Sequence, residues 1–275
     1  MPPDNFFTAV FQAITDLLVR HSDMFLAMGR NMFRSFAIIL IVWFGIKVAL
    51  SSSEGHSPLH LSNFCNLILV IAFGFAMITY YDSPIPGFGR SFKNLIIDQA
   101  VFLSNRLEAA SLGEVQQRLV ELYSGLEPPT LFDVVYVFRY FITIIAIVLA
   151  QVAVLAVISY GYVAMAVIVL VGPVFIPFFI VPKLEWLFWG WFRAFIQYAF
   201  YQVVAHAFVF VFGQLLIHFL DVHPPPFDSL RVAWLFVPLV FLLVSFVYGV
   251  LKVPSLVNGI FTGRSGDSAL PRALS

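Results

Sequence analysis

Residues 132–181 form a nearly continuous apolar run, charged only at Asp133 and Arg139 near its start. About 20 helical residues are enough to cross the hydrocarbon core of a bilayer, which is about 30 Å thick. A run this long is foreign to an ordinary soluble domain, in which about a quarter of all residues are charged. Here only 11% are charged and 61% are hydrophobic. The sequence therefore predicts an all-α polytopic membrane protein.

Two arrangements fit the long apolar run. It can form two spans joined at Ser159-Tyr160-Gly161, or one long helix followed by a broken, partly re-entrant segment that ends at prolines. We therefore predict five or six transmembrane helices, together with amphipathic helices at the membrane interface. The candidate spans outside the run are residues 33–50, 64–81, 186–220 and 232–251.

Apolar residues outside the spans recur at helical spacing, which predicts amphipathic helices at residues 6–18 and 92–107. A membrane interface or a neighbouring subunit would bury their apolar faces. The chain is divided into five segments: residues 1–31, an amphipathic N-terminal helix and linker; residues 32–81, two transmembrane helices; residues 82–131, a polar loop with amphipathic helices; residues 132–252, the transmembrane core; and residues 253–275, a C-terminal tail.

The long apolar run ends at a series of helix breakers that is followed by tryptophans. Proline removes a backbone donor and interrupts a helix, and tryptophan is enriched at the membrane–water boundary. The order predicts a helix end, a tight polar turn at Lys183 and Glu185, and re-entry of the next helix. The residues that we expect to form this packing or assembly motif are Gly172, Pro173, Pro177, Trp186, Trp191 and Arg193.

The block LVGPVFIPFFIVPKLEWLFWGWFRAFIQYAFYQVV resembles the central signature of the TrbL/VirB-type inner-membrane proteins of type IV secretion and conjugal transfer systems. The signature has an apolar run ending in Gly-Pro, a loop, and a tryptophan-led helix with a basic residue. The C-terminal KVPSLVNGIFTGRSG is similar to the family's ending, with Lys252, Pro254 and Gly263 at the matching places. The resemblance covers the second half of the chain well and the first half in outline.

The resemblance implies a multi-pass protein of the bacterial inner membrane that acts as a scaffold and channel subunit. It also implies a homo-oligomeric ring at the base of a stalk or pilus. The implied partners are a minor pilin, a bitopic assembly protein and the ATPase complex, besides membrane lipids. Formal net charge is zero, so any nucleic-acid contact would be transient rather than driven by a broad basic field.

No sequence pattern indicates an enzyme, a metal site or a cofactor. There is no GxSxG or HExxH motif and no phosphate-binding glycine loop. His56 and His60 are four residues apart, but a zinc site would need two more ligands, and none is near in sequence. We interpret this histidine pair as part of a solvated loop.

Three polar residues, Gln151, Gln202 and His206, lie inside predicted spans. A polar group without a partner in lipid costs several kcal/mol, so these side chains should face protein or water. They can form hydrogen bonds between helices, or they can line a hydrated conduit. Helix–helix bonding is favoured because no carboxylate accompanies them in mid-span. The same absence weakens the alternative function, a stand-alone transporter or permease.

The side of the membrane on which residues 82–131 lie stays open. Six spans with both termini inside would place most Lys and Arg residues on the cytoplasmic side, as the positive-inside rule expects. Five spans with only the C-terminus inside would place residues 82–131 outside. The resembled family is usually described with a periplasmic N-terminus, an odd number of spans and a periplasmic central loop.

Overall fold

The structure is a computed structural model, and it describes residues 3–51, 61–128, 133–224, 227 and 229–262. The model is 88% helical and contains no strand in its described part. Its elements in chain order are α1 (Pro3–Ser51), α2 (Leu61–Thr79), α3 (Asn94–Ser124), α4 (Val134–Phe175), a 3₁₀ helix (Ile176–Ile180), α5 (Glu185–Val222) and α6 (Ser229–Thr262). His56, His60 and Gly263 lie outside the described residues.

Five helices in the described part are long and apolar enough to cross a membrane, which confirms the all-α polytopic class. Their apolar portions are Arg20–Leu50, Ser62–Thr79, Val134–Ile180, Glu185–Val222 and Val232–Thr262. The helix α4 continues through Ser159-Tyr160-Gly161 without a break. The long run is therefore one helix followed by a 3₁₀ segment, and the lower of the two predicted counts matches the five apolar helices of the described residues.

Two predicted breaks are absent from the structure. The N-terminal segment and the first span form one helix, α1, so the predicted linker before residue 32 is helical. No proline occurs between residues 4 and 51 to end that helix. In residues 82–131 the amphipathic helix predicted at residues 92–107 does not end there but continues as one helix, α3, to Ser124. Gly113 has open space around it and does not interrupt the turn pattern.

The helices pack into two compact units. The first contains residues up to Asp98 together with Val163–Ala199, and the second contains Gln99–Tyr162 together with the residues from Phe200 onward. The first unit has a core in which Phe33, Ile176 and Phe195 are buried, and many aromatic rings pack around them.

In the first unit the 3₁₀ helix packs against α1 and α2. The rings of Phe36 and Phe178 have centroids 5.7 Å apart. A Cβ on Gly74 would lie 2.9 Å from the Cγ2 of Ile180. Gly29 lies seven residues before Phe36 in α1, and it contacts Pro173, which lies five residues before Phe178. The end of α4 and the 3₁₀ helix therefore run parallel to α1. The 3₁₀ helix at the start of the α4–α5 hairpin therefore packs beside the second half of α1.

In the second unit α3 packs along α5. Ser104 contacts His206, Val115 contacts Gly213, and Arg118 contacts Asp221, so both helices run in the same direction. Each contact lies about three turns or less beyond the one before it, which is the spacing of one continuous helix interface. The amphipathic segment predicted at residues 92–107 thus belongs to α3, a helix that packs along α5, and α5 is long and apolar enough to cross a membrane.

Candidate functional site

The Gly172-Pro173 break is closed by a tyrosine from outside α4. Proline has no backbone N–H, so Pro173 cannot donate to the carbonyl of Val169 four residues earlier. The Tyr81 hydroxyl donates a hydrogen bond to that same carbonyl. A buried carbonyl without a partner would cost about 1–3 kcal/mol. Tyr81, two residues beyond the end of α2, supplies the donor that the helix lost.

Trp191 supplies a second donor at the same break. Its indole Nε1–H donates to the carbonyl of Ile168, at 2.9 Å, one residue before Val169. The Trp191 ring is buried and stacks on Phe195, with centroids 5.5 Å apart and an interplanar angle of 10°. The tryptophan-led helix α5 is therefore fastened to α4 by one hydrogen bond and a large apolar contact.

Gly172 makes room for both donors. A Cβ at this position would meet the Tyr81 hydroxyl and would lie 2.7 Å from the Cζ2 of Trp191. Real Cβ atoms are essentially never that close to another heavy atom, so only glycine fits without a shift of the neighbours. Pro173 thus leaves the Val169 carbonyl without its helical donor, and Gly172 leaves room for Tyr81, which binds that carbonyl, and for Trp191, which binds the carbonyl of Ile168.

We call Tyr81, Gly172, Pro173 and Trp191 the junction. Pro177 is buried in the 3₁₀ helix beside it. The other predicted motif residues lie apart from the junction or outside its core: Trp186 is 65% exposed, Arg193 is exposed, and Pro254 is half-buried in α6 within the second unit. The structure therefore brings together the buried members of the predicted motif at or beside the junction, and it leaves Trp186 and Arg193 exposed.

Tyr81 keeps its proton at the junction. Burial, reinforced by the neighbouring Asp82 carboxylate, raises the pKa of the Tyr81 phenol above its ordinary value. Asp82 forms an ion pair with Lys93. A protonated phenol is the form that can donate to Val169, so the junction holds over the whole physiological pH range.

The second group of polar residues lies in the second unit, where Gln202 and His206 are buried on one face of α5. Gln202 donates through Nε2 to the carbonyl of Ile158 in α4, at 3.0 Å. The Nδ1 of His206 lies 2.7 Å from the Ser104 hydroxyl in α3. We call Ser104, Gln202 and His206 the polar stripe. It joins α5 to two other helices by hydrogen bonds.

The polar stripe is only partly satisfied. The Oε1 of Gln202 and the Nε2 of His206 are buried and have no hydrogen-bond partner among the described residues. Gly161 brings α4 close, since a Cβ there would lie 2.6 Å from the Nε2 of Gln202. Gln151, the third predicted polar residue, is half-buried in α4, seven residues before Ile158, and its side chain makes no hydrogen bond with another described residue.

The contact between Ser104 and His206 has the residue types of a nucleophile and a base. Both side chains are buried, and His206 has no exposed surface. No substrate group can reach them in this arrangement, so the contact is a structural hydrogen bond between α3 and α5. In the described ranges no three His, Cys, Asp or Glu residues come together as metal ligands.

Tyr81 and Ser104 are the two site residues that the sequence did not single out. Tyr81 could have been suspected, because Tyr80-Tyr81 ends an apolar helix just before a proline-rich turn. Ser104 carried no signal, since its partner is 102 residues away and its neighbours in α3 are ordinary amphipathic residues. Its role exists only through the register of α3 on α5.

Residues 37–253 match the family described as TrbL/VirB6 plasmid conjugal transfer protein. No curated protein matches the chain significantly. The matched range includes both the junction and the polar stripe and covers well over half of the 275 residues. The chain therefore belongs to the TrbL/VirB6 family, as a multi-pass membrane component of conjugal transfer and type IV secretion machinery.

Proposed function

We propose that this protein is a scaffold and channel subunit in the bacterial inner membrane, where it supports substrate translocation and the assembly of a stalk or pilus. The family supports this assignment, and a minor pilin, a bitopic assembly protein and the ATPase complex are the partners that it implies. The observation that carries the proposal is the length of α4 in relation to a bilayer.

A helix of 42 residues such as α4 is about 63 Å long, roughly twice the hydrocarbon core. Even a tilt of about 40° leaves it much longer than the core. Apolar side chains beyond the lipid need protein to cover them. In the second unit the exposed apolar surface is large: Phe138 of α4 is 67% exposed, and Trp234 and Phe241 of α6 are 83% and 73% exposed. These faces favour a homo-oligomeric ring, in which further copies cover them.

The charges support a scaffold rather than a pump or a broad DNA channel. From Tyr140 to Pro182 no residue is charged, so α4 offers no mid-span carboxylate for proton coupling. The chain has zero formal net charge, and contacts with a nucleic-acid substrate would be local and transient.

Imaging of the purified protein in nanodiscs tests the proposal. We expect closed rings, and we expect Phe241→Ser with Trp234→Ser to reduce ring formation and conjugal transfer together. The matched control is Phe88→Ser, which changes an exposed phenylalanine in the turn after α2. Monodisperse single copies that transport a small solute in vesicles would contradict the scaffold and favour a permease.

Cysteine labelling determines the side of residues 82–131. Asn105 is exposed on α3, and Cys65 is exposed on α2, so Asn105→Cys is made in a Cys65→Ser background. With five spans we expect labelling by an impermeant reagent from outside the cytoplasmic membrane. Labelling that requires lysis would place this segment in the cytoplasm, as the positive-inside rule expects for a chain with both termini inside.

A further inference from the structure

The polar stripe contains two buried polar atoms that no other described residue binds. They are the Oε1 of Gln202 and the Nε2 of His206, each on a residue that is more than nine-tenths buried. The other polar atom of each side chain is already fixed, since Gln202 donates to the carbonyl of Ile158 and His206 contacts the Ser104 hydroxyl. Buried polar atoms in folded proteins almost always have a partner. Two such atoms on one helix face therefore point to a bound ligand.

The spacing of the two residues limits the size of that ligand. Gln202 and His206 are four residues apart in α5, so their side chains are neighbours, with about 5–6 Å between the Cβ atoms. One small molecule that makes two hydrogen bonds of about 2.8 Å each bridges a distance of this order. Gly161 shows that α4 packs tightly here, because a Cβ there would lie 2.6 Å from the Nε2 of Gln202. The site therefore suits a very small ligand.

The residues around the stripe favour a neutral ligand over an ion. No Lys, Arg, Asp or Glu occurs in α5 between Arg193 and Asp221, or in α4 over residues 140–175. The charged residue nearest to Ser104 in α3 is Arg106, which is exposed. Among the described residues no three His, Cys, Asp or Glu side chains could hold a metal ion. Two ligand atoms also fall short of the coordination number of zinc or calcium.

Water fits either neutral form of the histidine. The Oε1 of Gln202 can only accept a hydrogen bond. The Nε2 of His206 donates when the Ser104 hydroxyl donates to Nδ1, and it accepts when Nδ1 carries the proton. A water molecule can donate to Oε1 and at the same time accept from Nε2 or donate to it. Binding polar atoms that the protein leaves unpaired is the usual role of buried water.

We propose that the polar stripe binds a single structural water, which bridges the Oε1 of Gln202 and the Nε2 of His206. A continuous chain of hydrogen bonds then runs from Ser104 in α3 through His206, the water and Gln202 to the Ile158 carbonyl in α4. This chain joins three helices of the second unit, and the water is its one exchangeable member. The site does not depend on the proposed role in secretion.

A structure of the full-length protein in a lipid environment, at a resolution that shows ordered water, tests the proposal directly. We expect one density peak at about 2.6–3.2 Å from both Oε1 and Nε2. The Gln202→Leu variant should lose this peak, because the water would keep only His206. Gln197→Leu, at a half-buried position of the same helix, is the matched control and should retain it.

Magnetic resonance of the unaltered protein in bilayers gives a second readout, which does not depend on the folding of a variant. With ¹³C-labelled histidine we expect transfer of magnetisation from water to the ring of His206. The His206→Gln variant, which lacks that signal, assigns it.

Any of the following results would overturn the proposal. An empty position between two well-resolved side chains, or no transfer from water to His206, would show a dry site. A peak surrounded by four or more ligand atoms would identify an ion. A peak that stays unchanged in Gln202→Leu would show that the water does not bridge the two residues.

Discussion

The junction and the polar stripe are both polar groups buried among apolar helices, but they are satisfied to different degrees. At the junction, the Val169 carbonyl that Pro173 leaves without a donor accepts a hydrogen bond from Tyr81, and Trp191 donates to the neighbouring carbonyl of Ile168. In the polar stripe, Gln202 and His206 each make one bond and each keep one buried atom without a partner in the described structure. A fully satisfied group is what a permanent fastening requires, whereas a partly satisfied one retains capacity for water, a substrate or a rearrangement.

The largest effect should come from filling the junction. Gly172→Leu has no space beside Tyr81 and Trp191, so both hydrogen bonds and the ring packing are lost together. We expect a loss of about 3 kcal/mol or more in unfolding free energy, measured by denaturation in mild detergent. The control is Gly190→Ala, at a helical glycine with nothing within 4 Å of the added Cβ, which should be neutral or slightly stabilising. Equal effects of the two would mean that the junction is not tightly packed.

Removing a single junction donor should have a smaller effect. Tyr81→Phe leaves the Val169 carbonyl buried without a donor, at a cost of about 1–3 kcal/mol. Tyr80→Phe, at the half-buried neighbouring position, is the control and should cost less than half as much.

The Tyr81 phenol also predicts a pH dependence. Its raised pKa in the folded protein means that its contribution is complete below the unfolded value of about 10 and is lost as the pH rises above that value. The melting temperature of the unaltered protein should therefore fall more steeply above about pH 10 than that of Tyr81→Phe. Parallel curves would show that Tyr81 does not titrate as a buried phenol.

The polar stripe should respond in function more than in stability. Gln202→Leu removes both the bond to Ile158 and the unpaired Oε1, and an apolar side chain of similar size is nearly neutral in such a place. We expect a change within about 1 kcal/mol in stability, but at least a tenfold loss of conjugal transfer. Gln197→Leu, at a half-buried position of the same helix, is the control and should transfer normally. Normal transfer by Gln202→Leu would make the stripe a second permanent fastening.

The smallest effect should come from the exposed end of the α3–α5 contact. Arg118 bridges Asp221, at 3.1 Å, but both side chains are substantially exposed. Asp221→Asn should therefore change the unfolding free energy by less than about 1 kcal/mol, and added salt should reduce the difference further. A loss above 2 kcal/mol would mean that α3 is held by its ion pair and not by the buried contacts at Ser104 and Val115.

The sequence predicted the class, the helix break and the polar positions, because composition, proline and mid-span polarity act locally. Pro173 removes one hydrogen bond inside α4, but the helix ends at Phe175, two residues later. The partners of this break could not be assigned, because Tyr81 lies 88 residues from Val169 and the match depends on how α2 ends against α4. The linker before residue 32 was predicted from a change in amphipathicity, but polarity can change along a helix without ending it. Likewise Ser159-Tyr160-Gly161 can end a span, but here Gly161 serves close packing against Tyr201 and Gln202.

The two donors at the junction have a consequence for the order in which the chain is made. Tyr81 is synthesised long before Val169, whereas Trp191 leaves the ribosome only after the whole of α4. Until Trp191 has been made, the end of α4 has only one of its two side-chain hydrogen bonds, the one from Tyr81. A nascent chain that stops at the turn before α5 should therefore be recognised as incomplete and degraded, whereas a chain that stops a few residues after Trp191 should persist. The hydrogen bond from Trp191 to Ile168 therefore forms only after both α4 and the start of α5 have been made.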